Sequence, residues 1–294
     1  MQLFFSEFPI IFSAVAFLLA LLIGSFLNVV IYRLPIMMER DWRKQCDDFA
    51  ATPATDLPEG RFDLVLPRSR CSSCGKQITA LQNIPVLSYL FLGGKCGHCS
   101  APISRRYPAI ELTTAILTAF VAWRFGFGWE AAAAIFITWT LIAISVIDFD
   151  HQNIPDSLSL PLVWAGLLMS LFHPLAGAEV LLVSPESSIA GAIAGYLILW
   201  SIYHLFRLVT GKEGMGYGDF KLLAGLGALL GWQMLHLIVL LSAVVGVIVG
   251  VGLIVLRSHD RQIPIPFGPF LAAAGWIAMM YGQQIIDKYM FLMS

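Results

Sequence analysis

Long runs of apolar residues, separated by short polar segments, constrain this chain more than any other feature. A helix needs about 20 apolar residues to cross the hydrocarbon core of a bilayer. Eight segments qualify, at about residues 8–32, 109–124, 129–147, 158–173, 188–209, 219–231, 232–256 and 267–286. The fourth and sixth are short, so we expect them to be tilted, broken or re-entrant. The pattern predicts an all-α polytopic membrane protein with about eight transmembrane helices.

The composition agrees with a membrane location. Of the 294 residues, 58% are hydrophobic and 13% are charged, whereas soluble proteins average about 25% charged residues. The net charge of -1 gives no indication of nucleic-acid binding, so the expected partner is the lipid bilayer. Residues 1–8 contain no Lys or Arg, and the apolar run after them is longer than a signal-peptide core. We therefore interpret the first segment as a spanning helix that is not cleaved.

One long polar stretch, residues 33–108, interrupts the apolar pattern. It holds most of the Lys and Arg residues and all five cysteines. We predict three parts: a first transmembrane helix at 1–32, a small extramembrane domain at 33–108, and a membrane domain with about seven further helices at 109–294.

The basic residues predict the orientation. With eight spans, all but Arg124 and Lys288 of the 18 Lys and Arg residues fall on one side of the membrane. Loops rich in Lys and Arg remain in the cytoplasm. The polar domain is therefore expected in the cytoplasm and both termini outside.

Four cysteines form two short pairs, Cys71-x-x-Cys74 and Cys96-x-x-Cys99. Two such pairs can supply four thiolates to a tetrahedral zinc ion, and a cytoplasmic location disfavours permanent disulfides. We expect a structural zinc ion that stabilises the small domain and does no chemistry. Redox-active thiols are the alternative. Cys46 is left over and is interpreted as a bystander thiol.

Acidic residues cluster at the edges of the apolar segments. Asp148, Asp150 and Asp156 follow the third segment, and Asp219 opens the sixth. Carboxylates beside hydrocarbon are costly and usually functional. Asp148 and Asp219 are expected at the same membrane boundary, where they could meet around one water, one protonated and one ionised. Asp156 is expected to cap a helix and Asp150 to be a solvated loop charge.

Such a pair could act as the acid and base of an aspartic peptidase. Two common hydrolase motifs, His-Glu-x-x-His and Gly-x-Ser-x-Gly, do not occur in the sequence. An ion- or proton-coupled transporter that uses the same aspartates is the alternative. It would favour carboxylates at the bilayer midplane and inverted repeats, and neither is evident.

Several ordered motifs resemble one family across nearly the whole chain. Gly216-Tyr217-Gly218-Asp219 resembles the Gly-x-Gly-Asp motif of membrane aspartyl proteases. The whole chain resembles bacterial type IV prepilin peptidases, which are also N-methyltransferases. The other matching segments are 24–35, 68–111 with the four paired cysteines, Ile147-Asp148 with Ile154-Pro155-Asp156, 210–215 and 263–269.

The resemblance implies a function. Such enzymes cleave the basic leader from prepilins of type IV pili and pseudopilins of type II secretion at the cytoplasmic face of the inner membrane. They then methylate the new N-terminal residue with S-adenosylmethionine. The catalytic aspartates would be Asp148 and Asp219, with Asp148 preferred to Asp150 because it ends the apolar helix. Gly216 and Gly218 would belong to the active-site loop.

The resemblance also suggests what the cysteine domain does and which groups attract the leader. The domain resembles the part linked to methyl transfer, although the sequence does not locate the S-adenosylmethionine site. Three acidic groups, Asp150, Asp156 and Glu213, are expected to attract the basic leader.

Overall fold

The computed structural model describes residues 5, 7–47, 60–172, 183–257 and 265–293. Within these ranges it contains nine α-helices and no β-strands. The chain divides into two compact units, Met1–Phe127 and Gly128–Ser294. Residues 263 and 264 of the last family-like segment lie outside the described residues.

The first unit contains three helices and the cysteine pairs. The helices are α1 (Pro9–Asp47), the short α2 (Leu87–Phe91) and α3 (Arg106–Phe125), with a 3₁₀ turn at Leu81–Asn83. Helices α1 and α3 pack closely, since a Cβ added at Gly24 would lie 2.7 Å from the Cα of Glu111. The Asn28 side chain also donates a hydrogen bond to the backbone carbonyl of Tyr107 at 3.2 Å.

Helix α1 does not end at residue 32, where the apolar run ends, but continues to Asp47. After the apolar residues 34–38, the added turns are polar and carry an ion pair between Glu39 and Arg43, one turn apart. Such pairs stabilise exposed helices. The end of the apolar run therefore marks a change in the surroundings of the helix rather than its last residue.

In its described residues, the second unit contains six helices and one 3₁₀ turn at Trp232–Met234. The helices are α4 (Trp129–His151), α5 (Asp156–Ser170), α6 (Pro185–Thr210), α7 (Tyr217–Leu230), α8 (Leu235–Arg257) and α9 (Gly268–Met293). Helix α7 is the core, since every residue at 222–230 is buried, and it packs against α5, α6 and α9. Small residues permit this, because Gly191 of α6 and Gly227 of α7 bring the two backbones into contact.

Four helical segments of the described part are long and apolar enough to cross a membrane: Pro9–Cys46, Trp129–His151, Pro185–Thr210 and Trp232–Gly252. Their outward side chains are apolar and exposed, as with Leu18 and Leu22 of α1 and Ile248 of α8. Such surfaces suit contact with lipid. The fold is thus a helical membrane protein with four apolar candidate spans, and the count of eight stays a prediction. Helices α5 and α7 are short, at 15 and 14 residues.

Candidate active site and cysteine cluster

A cavity of about 450 Å³ opens in the second unit, where α4 ends and where α5, α7 and α9 begin. Asp148 and Asp219 both line it, together with Gly216, Gly218 and Phe267. The two aspartates are 71 positions apart in sequence, yet both line the same cavity. The structure therefore brings together the two aspartates that the sequence singled out.

Asp148 lies in the last turn of α4 and is 5% exposed. Its Oδ2 atom accepts a hydrogen bond from the backbone N–H of Gly268, the first residue of α9, at 3.0 Å. A Cβ at Gly268 would lie 2.6 Å from this oxygen, so only glycine permits the approach. A helix N-terminus carries partial positive charge, which stabilises a carboxylate.

Asp219 lies in the first turn of α7 and is 6% exposed. Its Oδ2 atom accepts from the backbone N–H of Gly216 at 3.3 Å. Its Oδ1 atom is buried and has no hydrogen-bond partner among the described residues. An unsatisfied buried oxygen is costly, so this atom is the natural position for a proton or for contact with a bound molecule.

The two glycines of the loop differ in their surroundings. A Cβ at Gly218 would lie 2.7 Å from the Cβ of Ile154, whereas a Cβ at Gly216 would have no neighbour closer than 3.9 Å. The backbone of Gly216, at φ -86° and ψ 155°, suits any residue. Gly218 is therefore required for packing, while Gly216 is required by neither space nor conformation.

The other two aspartates of this region have different environments. Asp150 is exposed. The capping expectation for Asp156 is wrong, because Pro155 occupies the cap position and no side chain caps α5. Asp156 is the first helical residue, and both its oxygens accept from Lys221 Nζ, at 2.6 and 2.8 Å. A nearby ammonium group compensates the carboxylate better than a neutral N–H would.

The four paired cysteines converge in the first unit. Their sulfur atoms all lie within 4.8 Å of one another, and the Sγ atoms of Cys71 and Cys99 are 3.8 Å apart. Tetrahedral zinc with Zn–S bonds of about 2.3 Å places its sulfurs about 3.8 Å apart. The donor set therefore fits zinc in number, chemistry and spacing. Cys46 is exposed in the last turn of α1 and is not part of the cluster.

The two cysteine turns share one geometry, repeated 25 positions later. The N–H of Cys71 donates to the carbonyl of Lys76, and the N–H of Cys96 donates to that of Ala101. Each turn is closed by an isolated antiparallel bridge, Arg70 with Gln77 and Lys95 with Pro102. Gly75, at φ 69°, and Ser100, at φ 57°, occupy equivalent left-handed positions.

Backbone donors in these turns favour thiolates. The N–H groups of Cys74 and Ser73 lower the pKa of the Cys71 thiol to about 6. The N–H groups of His98 and Cys99 likewise lower the pKa of Cys96. Zinc binds the thiolate form, so the backbone donors at Cys71 and Cys96 suit these two thiols to bind a metal.

Two groups at the active-site cavity were missed at the level of sequence: the N–H of Gly268 and the side chain of Lys221. Both act on aspartates far away in sequence, 120 and 65 positions respectively. The sequence Phe267-Gly268-Pro269 indicates that a helix starts there, because proline is typical of the first turn of a helix. It could not indicate which carboxylate this helix start faces.

Comparisons with known proteins agree over nearly the entire chain. The family model for the Bacterial Peptidase A24 N-terminal domain matches residues 18–125, and that for the Type IV leader peptidase family matches residues 135–251. Similar curated proteins are named prepilin leader peptidase/N-methyltransferase. One from Stutzerimonas stutzeri is 53% identical, covering 98% of this chain and 96% of its own length. One from Pseudomonas aeruginosa is 51% identical, covering 98% and 96%. No solved structure matches the chain.

Proposed function

Because the chain belongs to the type IV leader peptidase family, we propose that it is an inner-membrane prepilin leader peptidase and N-methyltransferase with Asp148 and Asp219 as its peptidase centre. One observation carries the assignment of the centre: two buried carboxyl groups from different helices line one cavity. The transporter alternative has no comparable support, since the relatives are named as enzymes.

The hydrogen bonds assign different roles to the two aspartates. Two close buried carboxyl groups cannot both ionise easily, so one retains a proton. Asp148 faces the N-terminus of α9 and receives the Gly268 N–H, which favours its ionised form. Asp219 has the unpartnered Oδ1 atom, which supports our assignment of the shared proton to Asp219. The pair titrates as one coupled unit.

Hydrolysis then follows the general acid–base scheme of paired aspartates. Ionised Asp148 removes a proton from a water molecule as the water oxygen attacks the carbonyl carbon of the scissile peptide. Asp219 donates its proton to the carbonyl oxygen. When the tetrahedral intermediate collapses, one of its two hydroxyl groups returns a proton to Asp219, the C–N bond breaks, and the amine nitrogen takes a proton from Asp148. Both products leave with the carboxyl pair restored.

The substrate would be a prepilin or pseudopilin, whose apolar helix can lie in the bilayer beside the enzyme. We place the cavity and the cysteine domain on the cytoplasmic side and both termini outside, following the Lys and Arg distribution. Two of the three acidic groups that are expected to attract the leader lie beside cationic side chains of the protein. Asp156 is already paired with Lys221, and Glu213 lies 3.6 Å from Arg207.

The second activity transfers a methyl group to the new amine. The amine nitrogen forms a bond to the methyl carbon as the carbon–sulfur bond of S-adenosylmethionine breaks, the electron pair stays on sulfur, and the amine loses one proton. The role of the protein in this step is to hold the new amine next to the methyl donor. We assign zinc to Cys71, Cys74, Cys96 and Cys99, where it would cross-link the two cysteine turns.

Purified protein assayed on a prepilin peptide tests the peptidase centre. Asp148→Asn and Asp219→Asn should each slow cleavage by at least about a thousandfold, because each removes a proton-transfer group. Asp287→Asn is the matched control, the same substitution at an exposed carboxylate of the same unit, and it should cleave at nearly the wild-type rate. Normal cleavage by either of the first two variants would reject the assignment.

A further inference from the structure

A second cavity, of about 350 Å³, lies within the first unit between the cysteine turns and the start of α3. Its lining includes Arg70, Tyr89, Tyr107 and Glu111. Sites for small molecules and cofactors measure roughly 300–1,000 Å³ and combine apolar walls with a few polar groups. Peptide hydrolysis uses none of these residues, so the cavity is free for another task.

Glu111 is the exceptional group in this cavity. It lies in α3 and is only 8% exposed. Its Oε2 atom accepts from the backbone N–H of Val86 at 2.8 Å, and the Ser25 hydroxyl also donates to the carboxyl group. Both donors are neutral, and no ion pair to Glu111 occurs in the described ranges. A buried carboxylate without a cationic partner is costly, which indicates a site for a positively charged ligand.

The donor Val86 is itself strained. Its backbone lies at φ 59° and ψ -50°, and the Leu87 N–H bonds to the carbonyl of Pro85 across it. This is the geometry of a classic γ-turn, which is rare and especially unfavourable for a β-branched residue. Such strain persists only where neighbouring groups enforce it, and it concentrates at ligand sites. Glu111 thus joins a strained turn to the cavity wall.

We propose that this cavity binds S-adenosylmethionine and that Glu111 pairs with a positive group of that ligand. The proposal rests on the methyltransferase half of the proposed function. The ligand carries an ammonium, a sulfonium, a carboxylate and a flat adenine ring. Glu111 supplies the negative charge, Arg70 a cation for the carboxylate, and Tyr89 and Tyr107 the aromatic surface that suits cations and flat rings.

Equilibrium dialysis of labelled S-adenosylmethionine against the purified full-length protein in detergent tests the pairing. Glu111→Gln should weaken binding at least tenfold, because it removes the charge but keeps an oxygen to accept the Val86 N–H. Glu39→Gln is the control, since Glu39 belongs to the same unit and its side chain is 49% exposed. That control should bind as the wild type does. Equal affinity in the Glu111 and Glu39 variants would overturn the proposal.

A second measurement locates the ligand without any variant. Ultraviolet crosslinking of labelled S-adenosylmethionine to the wild-type protein, followed by peptide mapping, should place the adduct between residues 70 and 111. An adduct in residues 128–293 would overturn the cavity assignment alone. If the wild-type protein cleaved prepilin but bound no S-adenosylmethionine, the methyltransferase assignment would fail together with the cavity. Zinc content shows whether the Glu111 variant has folded.

Discussion

Single side chains at the active-site cavity are held by contacts with backbone. Asp148 and Asp219 each accept a backbone N–H, from Gly268 and Gly216 respectively. Backbone donors are fixed by the helices that carry them, so the carboxyl groups are positioned before substrate arrives. Such preorganisation is a main source of catalytic power.

Adding one methyl group to each of the two loop glycines, Gly216 and Gly218, should have different effects on cleavage. Gly218→Ala should reduce cleavage by at least about tenfold, because its Cβ would meet Ile154 at 2.7 Å and displace the start of α7. Gly216→Ala should retain most of the activity, since its Cβ would meet no atom closer than 3.9 Å. Initial cleavage rates of the two purified variants check this. Similar losses in both would show that contacts with the folded chain do not explain the motif.

A helix-start glycine gives a second prediction. Gly268→Ala would place a Cβ 2.6 Å from the Asp148 carboxylate, so the hydrogen bond from the N–H of residue 268 must lengthen. We expect a fall in kcat of about tenfold or more with a smaller change in KM, because the base is displaced while the substrate surface remains. Steady-state kinetics on a prepilin peptide measures both constants. A change in KM alone would contradict this role for Gly268.

At the scale of elements, we expect the two cysteine turns to need a bound metal to join them. Cys71→Ser should lose about one zinc ion per chain and lower the unfolding temperature of the protein. We expect methylation to fall before cleavage, because the described residues that line the candidate peptidase cavity belong to the second unit. Metal analysis, thermal unfolding and the two rates check this.

The control for that experiment is Cys46→Ser, which changes an exposed thiol outside the cluster. It should leave zinc content and both rates unchanged. Loss of cleavage before methylation in Cys71→Ser would refute the division of labour.

A turn at Asp63 gives a pH-dependent prediction. The N–H of Leu66, the Arg61 side chain and the N–H of Val65 hold the pKa of Asp63 at about 2, below its ordinary 3.8. Because the folded pKa is lowered, the stabilisation is present above about pH 4 and is lost as the pH falls towards 2. Arg33 of α1 donates to the carbonyls of Asp63 and Pro67, so this turn is anchored to the first helix.

Cleavage by an acid-active protease measures the state of that turn. In the wild-type protein, cutting at residues 61–67 should increase between about pH 4 and pH 2, after correction for the activity of the protease. In Asp63→Asn the turn should already be cut at pH 5. Identical pH profiles for the two proteins would contradict the role of the carboxylate.

At the scale of the whole molecule, the main proposal is the membrane topology, which means the number of spans and the side on which each loop lies. With eight spans, the loop after α3 lies outside and the loop after α6 lies in the cytoplasm. Alkaline phosphatase fused after Gly126 should therefore be active, whereas the same enzyme fused after Gly211 should be inactive. The opposite pattern would invert the orientation, and activity in both fusions would reject the span count between them.

The sequence predicted features that depend on local pattern. Apolar runs located the cores of the long helices, and the Cys-x-x-Cys spacing located the four-cysteine cluster, because both signals lie within a few residues. It did not predict the end of α1 at Asp47, whose last turns are polar. It also did not predict that Asp156 pairs with Lys221, or that Asp148 meets Gly268. These contacts depend on how distant helices pack, and no single segment encodes that.

The central claim is that Asp148 and Asp219 act as one catalytic unit, and the double variant tests it most directly. Residues that work as a unit show strongly non-additive effects when removed together. Cleavage rates should be measured for Asp148→Asn, Asp219→Asn and the two substitutions combined, on the same prepilin peptide. We predict that the double variant cleaves no more slowly than either single variant. A loss in the double variant equal to the product of the single losses would show that the two aspartates act independently, and would contradict the account.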